Sequence, residues 1–344
     1  MGTTENAPAS PLEIPPSLQM LQLLTGFQIS QALYVVAKLD VATILSNGPR
    51  TIDQLAAETS ASADALGRII RFLATLGVFR TDGDQIEVTE LGATLGEDHP
   101  DSFKYGALYW METHYGPFGD FLTTARTGES AATRHFGQPF FDWISSDPER
   151  AELQNRAFAN AATGLRSGLF REYNLPDGAV VADIGGADGS MLSQLLMDAP
   201  DRRGIVFDRP EIVAGAQKTL AEHGLTDRVQ GVGGDFFESV PTADVYTLSY
   251  ILHDWDDESC RRILRSIADA AEPGARVVLI EAVIPPGDEP HPAKVIDLTM
   301  LAITTGRERT TEEFQALLDS AGFTLDRIVP SPTPVVSFIE ATLR

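Results

Sequence analysis

Chemically useful side chains are concentrated around His253. Acidic residues follow it at Asp254, Asp256 and Asp257, and Glu281 ends the next apolar, strand-like run. Carboxylates around an imidazole can orient its ring and stabilise its charged form, as a general base requires. The pattern therefore predicts a proton-transfer site with His253 as the base.

The same residues can also be explained by purely structural roles. A histidine is more often structural than catalytic, and Asp254 can instead cap the helix expected to begin near Asp256. A metal is not predicted, because no second histidine falls at metal-ligand spacing from His253. The single cysteine, Cys260, also excludes a cysteine-cluster metal site and an internal disulfide.

A glycine-rich turn provides a second chemical feature. The β-branched run at 180–184 leads into Gly185 and Gly186, and an apolar helical run follows. A strand that enters such a turn and leaves as a helix brings backbone N–H groups close to a ligand without an obstructing side chain. The next strand-like run ends at Asp208, where a nucleotide site of this type places its ribose-binding acid.

Charge at the expected strand ends favours one class of nucleotide ligand. Acids lie at Asp183, Asp208 and Asp235, and Phe236 beside the last of these could cover a purine ring. These carboxylates would repel the pyrophosphate of a dinucleotide, whereas they suit a phosphate-free nucleoside that carries a positive charge. The charge pattern therefore favours S-adenosylmethionine, an adenosine with a sulfonium, over NAD or NADP.

The composition indicates an acidic globular protein. The chain has 344 residues, 43% hydrophobic and 22% charged, with a formal net charge of −23 at pH 7. Such a charge repels nucleic acid unless a local basic patch exists, and the arginines and lysines are scattered. The sequence shows no secretory signal pattern and no apolar run near the ~20 residues that a membrane helix needs. We therefore expect a cytoplasmic protein that binds neither nucleic acid nor membrane.

The first part of the chain predicts a tail followed by a helical domain. Residues 1–16 contain four prolines and indicate a flexible tail. Residues 17–100 show helical apolar spacing and then a hairpin signal at Asp82-Gly83, which together describe a winged-helix unit. Such a unit can bind DNA, but its second helix would expose only Arg68 and Arg71 among neutral and acidic groups. A dimerisation role is therefore favoured.

The remainder predicts an aromatic helical region and then an α/β domain. Residues 101–172 are rich in aromatics, as a linker that lines a pocket for a planar small molecule would be. In residues 173–344, short β-branched strands alternate with amphipathic helices. Strands are predicted near 179–184, 204–208, 228–232, 243–249, 275–281, 323–329 and 334–342, with helices between the first five and at 308–321. This predicts a Rossmann-like, mainly parallel sheet whose last two strands, joined without a helix, are antiparallel.

Six collinear segments resemble motifs of the plant-type, caffeate- and isoflavone-like O-methyltransferases, which act on small molecules with S-adenosylmethionine. The bacterial natural-product members are the most similar. The resemblance covers nearly the whole chain. The segments are 183–189 (DIGGADG), 207–210 (FDRP), 234–237 (GDFF), 252–257 (LHDWDD), Glu281 and 306–310 (GRERT).

The resemblance implies a role for each matching residue. His253 is the general base, and Glu281 and Glu308 flank it. The cofactor contacts fall on Gly185, Gly186, Asp208, Arg209, Asp235 and Phe236. The resemblance also implies a homodimer formed through the N-terminal domain, whose helices interlock and help to close the partner's pocket.

Some positions depart from the family's pattern. Ala187 replaces the third glycine of the turn, and Ser249 stands at the cofactor where plant members have a lysine. The positions that match acceptor-facing ones are Gln154, Phe158, Met300, Ile303 and Thr304, and the first two of these differ from the family's residues. The identity of the acceptor therefore does not follow from the resemblance.

The resulting hypothesis is methyl transfer from S-adenosylmethionine to a phenolic hydroxyl of an aromatic or polyketide-like molecule. In water an imidazole, with a pKa of about 6.5, is a weak base for a phenol with a pKa of about 10. The sulfonium and the flanking carboxylates must therefore assist His253. The alternatives are a cofactor-binding homologue that hydroxylates or decarboxylates, a ligand-binding winged-helix regulator, and an NAD(P) dehydrogenase.

Overall fold

The computed structural model describes residues 14–164, 168–170, 172–332 and 335–344, so that residues 1–13 of the expected tail and residue 334 of the last expected strand lie outside the described residues. Contacts divide the chain into two compact units. The first contains the described residues up to Glu112 together with Glu152–Gly164; the second contains Thr113–Ala151 and the described residues from 168 onward. The aromatic region at 101–172 therefore contributes to both units.

The first unit is mainly helical and carries a three-stranded sheet of order β1-β3-β2. Its elements are α1 (Pro16–Leu24), α2 (Gly26–Lys38), α3 (Val41–Ser46), β1 (Arg50–Thr51), α4 (Ile52–Thr59), α5 (Ala63–Thr75), β2 (Phe79–Asp82), β3 (Gln85–Val88), α6 (Glu90–Ala93) and α7 (Lys104–Tyr109).

The helices and hairpin expected of a winged-helix unit are present. Thr51 and Gln54 form a capping box at the start of α4, in which the Thr51 N–H donates to Gln54 Oε1 (2.8 Å) and the Gln54 N–H donates to Thr51 Oγ1 (3.3 Å). Leu66, Ile70 and Leu73 on one face of α5 are buried in the unit's core. The strands β2 and β3 pair antiparallel across the expected turn.

The second unit begins with short helices and continues into a large sheet. After a π-helical turn at Trp110–His114, the helices are α8 (Tyr115–Phe118), α9 (Phe121–Thr127), α10 (Ala131–Phe136), α11 (Phe140–Ser145) and α12 (Pro148–Gly164), of which Glu152–Gly164 counts with the first unit. The remaining elements are β4 (Val180–Ile184), α13 (Ser190–Leu196), β5 (Arg203–Asp208), α14 (Pro210–Val213), α15 (Ala216–Glu222), β6 (Val229–Gly233), β7 (Val245–Ser249), α16 (Asp257–Ala270), β8 (Arg276–Glu281), α17 (Pro292–Ile303), α18 (Thr311–Ser320), β9 (Phe323–Pro330) and β10 (Ser337–Leu343).

The seven-stranded sheet has the order β6-β5-β4-β7-β8-β10-β9. Strands β4 to β8 are parallel, and β10 pairs antiparallel with both β8 and β9. This confirms the Rossmann-like class and the antiparallel C-terminal pair. The strand order reverses between β4 and β7, so that the carboxyl ends of these strands form the crevice in which such folds bind ligands.

Burial of both faces fixes the sheet. The strands β4, β5, β7 and β8 consist mostly of buried apolar residues, as a parallel sheet covered by helices requires. One apolar cluster lies on the face covered by α16 and α18, and a second lies on the face covered by α13 and α15. The strand ends are therefore held in fixed positions.

Three details of the sequence prediction are wrong. Residues 234–244 join β6 to β7 without a helix, because this short segment contains Gly234 and Pro241 and is occupied by packing of Phe236 and Phe237 on the sheet. The helix expected at 308–321 begins later, at Thr311, with Thr310 as its cap. The helix α17, which begins at Pro292, was not predicted at all.

No single helix within the described ranges has the length and apolar character needed to cross a membrane. The helices α1 and α2, bent by 40° at the break between them, meet that criterion only when taken together.

Candidate active site

The glycine turn lies at the end of β4, against the neighbouring strand β5. The N–H groups of Gly185 and Gly186 both donate to the Phe207 carbonyl, at 2.8 and 3.1 Å. Gly185 has φ 73°, and a Cβ there would stand 2.4 Å from Ile251 Cδ1. A side chain would also strain this conformation, so glycine is required for both reasons.

Ala187 occupies the left-handed region with φ 47°. An L-residue with a Cβ costs roughly 1–2 kcal/mol in this conformation relative to glycine. The departure from the family's third glycine is therefore absorbed as local backbone strain, and the turn itself is kept. The Ala187 N–H donates to Asp208 Oδ2 at 2.9 Å, and this hydrogen bond joins the turn to the end of β5.

Asp208 is held in one orientation at the end of β5. Its Oδ2 accepts from Ala187 and its Oδ1 accepts from the Arg209 N–H at 2.7 Å. Each oxygen keeps a lone pair that can accept from a ribose hydroxyl. The Arg209 side chain is exposed and lies 3.5 Å from the Glu211 carboxylate.

The segment after β6 places an acid beside aromatic rings. Asp235 Oδ1 accepts from the Phe237 N–H at 2.8 Å. The ring of Phe236 packs edge-on against Phe237 and Trp255, with centroids 4.8 and 6.1 Å apart. The structure therefore brings Asp208, Asp235 and Phe236 to one edge of the sheet, as the sequence predicted.

Two buried polar atoms at the ends of β4 and β7 fit a ligand that supplies hydrogen bonds. Thr247 Oγ1 donates to Asp183 Oδ1 at 2.7 Å, but Asp183 Oδ2 and Ser249 Oγ have no hydrogen-bond partner within the described chain. Burial raises the pKa of Asp183 to about 7, helped by Asp208 and Asp188 and opposed by Thr247. Orphaned polar groups of this kind, beside a glycine cradle, suit an adenosine cofactor with a cationic end.

His253 lies in a helical turn at Leu252–Asp254, directly after β7. Its Nδ1 is 2.7 Å from Glu308 Oε1, and its Nε2 is 3.7 Å from Asp254 Oδ1. The imidazole side chain is 11% exposed, whereas that of Glu308 is fully buried. Glu308 therefore fixes the ring through Nδ1 and leaves Nε2 for proton transfer.

Glu281 supports the same segment through the backbone. Its Oε1 accepts from the N–H groups of Ile251 and Leu252, at 3.1 and 2.8 Å. Glu308 is held in turn by its own N–H, which donates to Asp297 Oδ1 at 3.0 Å. Two carboxylates from different elements thus support His253, one through its ring and the other through the backbone of the two residues before it.

Three acids determine the proton affinity of His253. Burial acts to lower its pKa, but the charges of Asp254, Glu308 and Glu281 outweigh burial and raise the pKa to about 10. Burial raises the pKa of Glu281 to about 7 and that of Asp254 to about 6. At neutral pH the free site therefore holds an imidazolium among acidic side chains.

Three residues of this site could by distance hold a metal ion, since one donor atom each of His253, Glu281 and Glu308 lie within 4.8 Å of one another. In the structure, however, His253 and Glu308 bond to each other, and Glu281 Oε1 is occupied by two backbone N–H groups. The absence of a catalytic metal stays a prediction.

The helix cap near the site is Asp256, not Asp254. Asp256 Oδ1 accepts from the Ser259 N–H at 2.8 Å at the start of α16. Asp254 instead lies beside His253 Nε2. The simpler interpretation of Asp254 as a cap is therefore wrong, and its carboxylate belongs to the site's electrostatics.

The residues expected to face the acceptor fall in both units. Met300 and Ile303 are buried in α17, and the Thr304 hydroxyl donates to the Met300 carbonyl at 3.1 Å. In the first unit, Gln154 Nε2 donates to Tyr109 Oη at 3.0 Å, and Phe158, 49% exposed, packs edge-on against the same ring. An acceptor-binding role for all five residues stays a prediction.

Two residues near His253 were not found from the sequence. Tyr250 has φ 54°, and its ring centroid lies 5.4 Å from that of His253. Arg309 is 1% exposed and contacts the His253 segment. Its position next to Glu308 in the 306–310 motif was the available signal, but an arginine is rarely buried unless it is paired, and its partners lie on another loop that the local sequence does not show.

Models of two protein-family domains match the chain. The O-methyltransferase domain matches residues 119–324, and the O-methyltransferase dimerisation domain matches residues 21–96. The chain belongs to this O-methyltransferase family. It is an S-adenosylmethionine-dependent O-methyltransferase with a Rossmann-like catalytic domain.

Individual relatives of this O-methyltransferase span the whole chain. Phenazine O-methyltransferase PhzM of Lysobacter antibioticus is 38% identical over 340 residues, covering 98% of this chain and 99% of that protein. The crystal structure of LaPhzM has a TM-score of 0.89 and 38% identity, covering 96% of this chain and 100% of that chain. NcsB1, an O-methyltransferase from neocarzinostatin biosynthesis solved with S-adenosylmethionine and 2-hydroxy-5-methyl naphthoic acid, has a TM-score of 0.82 and 31% identity, covering 97% and 100%.

Replacing Asp183 by Asn tests the electrostatics of the cofactor edge. The pKa of Asp183 is raised from 3.8 to about 7 in the folded protein, so the unfolded chain releases this proton first. Between about pH 4 and 7 the folded protein therefore binds this proton more tightly than the unfolded chain does. The free energy of unfolding then falls as pH rises through this range. Asn can still accept from Thr247 and carries no charge. Urea unfolding should show D183N to be more stable than the wild type at pH 8 by on the order of 1 to 3 kcal/mol.

The gain should be smaller at pH 5, and the exposed D201N, which removes one charge elsewhere, should show no such pH-dependent difference. An equal effect of D183N at pH 5 and pH 8 would contradict a raised pKa at Asp183.

Proposed function

We propose that this O-methyltransferase methylates a phenolic hydroxyl on a planar aromatic or polyketide-like small molecule, with His253 as the general base. The bond from Glu308 Oε1 to His253 Nδ1, at 2.7 Å, is the observation that carries the proposal. It fixes the ring and leaves Nε2 to accept a proton. The relatives support the acceptor class, because one is named for phenazine and another was solved with a hydroxylated naphthoic acid.

S-adenosylmethionine supplies, when bound, a methyl group on a positively charged sulfur. Gly185, Gly186, Asp208, Asp235 and Phe236 would hold its adenosine part at the strand ends. Arg209, from its position beside Asp208, would lie against the adenine, and Ser249 would meet the cofactor through its buried hydroxyl. The acids of the site attract a cation and would hold it near His253.

The proton affinity of His253 suits a phenol. A phenol has a pKa of about 10, and the surrounding acids raise the pKa of His253 to about 10 as well. A base whose pKa matches that of the acceptor transfers the proton at little free-energy cost. His253 is protonated in the free site at neutral pH, and it releases this proton when a second positive charge enters, since like charges lower the pKa of an imidazolium. The same positive charge stabilises a phenolate and lowers the pKa of the phenol, so that base and acceptor stay matched in the complex with the cofactor.

Glu308 and Glu281 act on His253 in different ways. Glu308 stabilises the imidazolium that forms when Nε2 takes the phenol proton, through the bond at Nδ1. Glu281 keeps the turn at 252–254 in place by accepting from the N–H groups of Leu252, its first residue, and of Ile251, the residue before it. The second carboxylate oxygens of both residues are buried without a partner among the described residues, and they preserve the negative field of the site.

The functional test compares His253 with a histidine far from the strand ends. With a radiolabelled methyl donor and a panel of hydroxylated planar aromatics, the wild type should transfer label to oxygen. H253A should lose about 10²- to 10⁴-fold in turnover, the usual worth of a general base. Its affinity for S-adenosylhomocysteine, measured by calorimetry, should stay within about threefold, because the adenosine contacts lie on other residues.

The control is H223A, which changes an exposed histidine at the end of α15 and should behave like the wild type. Near-normal turnover of H253A across the pH range would sink the assignment of the base. Conversion of acceptors without methyl incorporation would favour the hydroxylase or decarboxylase alternative.

We also propose that the protein is a homodimer formed through the N-terminal domain, for which we keep the boundaries 17–100. The match of the dimerisation domain at 21–96 supports this. Helix α1 contains no buried residue, and large apolar side chains on α1 and α2 are exposed by 45–75%. These are Leu18, Met20, Leu21, Leu23, Leu24 and Phe27. Such a continuous apolar surface marks a protein interface.

Two charges placed on this surface should separate the protomers. L21E combined with L24E should give a monomer by sedimentation velocity, since two carboxylates would be buried in the interface. L122E, which alters an equally exposed leucine in the second unit, should leave the dimer intact. A dimer that survives the double substitution unchanged would show that the interface lies elsewhere.

A further inference from the structure

Arg309 makes a set of buried contacts that the proposed chemistry does not use. Its guanidinium is 1% exposed. Nη1 donates to the Leu252 carbonyl at 2.9 Å, and Nη2 donates to the Trp255 carbonyl at 2.9 Å. Nε and Nη2 both donate to Asp257 Oδ1, at 3.1 and 2.8 Å. The two carbonyls lie on either side of His253 and Asp254. One side chain therefore forms hydrogen bonds at both ends of the 252–255 segment that carries His253, called the catalytic turn below.

The backbone of Arg309 is joined to a third segment. Its carbonyl accepts from the Ile284 N–H at 2.9 Å, and it forms a parallel bridge with Val283. These residues directly continue the chain from β8, which ends at Glu281. The residue before Arg309 is Glu308. Arg309 therefore connects the three segments that carry His253, Glu281 and Glu308.

Gly306 shows how closely the two loops approach. A Cβ on Gly306 would stand 1.9 Å from the His253 carbonyl oxygen and 2.4 Å from the Asp254 carbonyl carbon. The backbone of the 306–309 segment thus lies directly on the backbone of the catalytic turn, where no side chain fits. Apart from the Arg309 side chain, the hydrogen bond between Glu308 and His253 is the side-chain contact that joins the two loops within the described residues.

We propose that Arg309 is a positioning residue for methyl transfer: it locks the loop that carries Glu308 onto the turn that carries His253, and so sets the Glu308–His253 hydrogen bond. It acts through other residues and does not touch the reacting atoms. Its planar guanidinium reaches two carbonyls and a carboxylate at once, which the single ammonium of a lysine cannot do. This inference rests on the proposed role of His253 as the base.

A residue that only stabilised the fold would give a different result from a positioning residue. The titratable groups that face His253 are Tyr250, Asp254, Glu281 and Glu308. Arg309 lies behind the three acids, against Asp257. If the clamp loosens, Glu308 withdraws from Nδ1 and His253 loses one of the groups that hold its proton. The pH dependence of turnover therefore reports on the clamp, whereas general destabilisation leaves that dependence unchanged.

The test uses R309K in the full-length enzyme with its best acceptor. We expect kcat to fall about 10- to 100-fold, as loss of alignment does, with KM for the acceptor changed much less. The acidic limb of the kcat profile should move to lower pH by about one unit, because His253 is less well stabilised as a cation. Affinity for S-adenosylhomocysteine should stay within about threefold.

The matched control is R276K. Like Arg309, Arg276 joins separate segments through its guanidinium, in this case by ion pairs with Asp326 and Glu340. It lies at the start of β8, the end away from Glu281. R276K should lower the thermal midpoint without moving the pH profile. If R309K folds and behaves in the same way as R276K, the positioning role is overturned.

A less disruptive substitution tests the positioning role if R309K does not fold. D257N removes the charged partner of Arg309, leaves both carbonyl bonds in place, and changes a side chain that is 52% exposed. It should shift the pH profile in the same direction by a smaller amount, and an unchanged profile would overturn the proposal. Failure of the base assignment is recognised separately, because H253A would then retain turnover.

Discussion

The hydrogen bond between His253 Nδ1 and Glu308 Oε1 is the interaction on which the rest of the site depends. It joins a turn at the end of β7 to a loop just before α18, residues that are 55 positions apart in the chain. The sheet makes this possible, because β7 and β8 are neighbours and Arg309 pairs with Val283, two residues beyond the end of β8. Burying an imidazole with several acids is costly unless each group is held, and the surrounding backbone N–H groups and Arg309 provide that support.

The same acids connect cofactor binding to proton transfer. They would attract a cationic cofactor, and they raise the pKa of His253. Because the imidazolium and the sulfonium are both stabilised by these carboxylates and repel each other, binding of one disfavours the other. In the proposed function, release of the histidine proton accompanies entry of the cofactor's charge. A lone imidazole in water lacks this coupling and is a poor base for phenols. In the proposed function, the acids around His253 account for how an imidazole can serve as the base for a phenol.

Local patterns in the sequence were enough to find the strand ends and hence most of the candidate site. The glycine turn, Asp208, His253 and Glu281 follow directly from strand periodicity and from the rule that ligands bind at carboxyl ends. The errors arose where contacts between residues far apart in the sequence determine the local structure. The segment after β6 packs its aromatics on the sheet and forms no helix. Arg309 is buried only because carbonyls from another loop surround it, which no local pattern reveals.

The most direct test of the central claim is the pKa of His253 itself, measured by NMR with ¹⁵N-labelled histidine and with H253A for assignment. The pKa should lie well above 6.5 in the free enzyme. It should fall when S-adenosylmethionine binds without an acceptor, and it should fall much less with S-adenosylhomocysteine, which lacks the positive sulfur. A pKa at or below 6.5 in the free enzyme, or equal values in the two complexes, would contradict a base whose proton affinity is set by acids and released by the cofactor's charge.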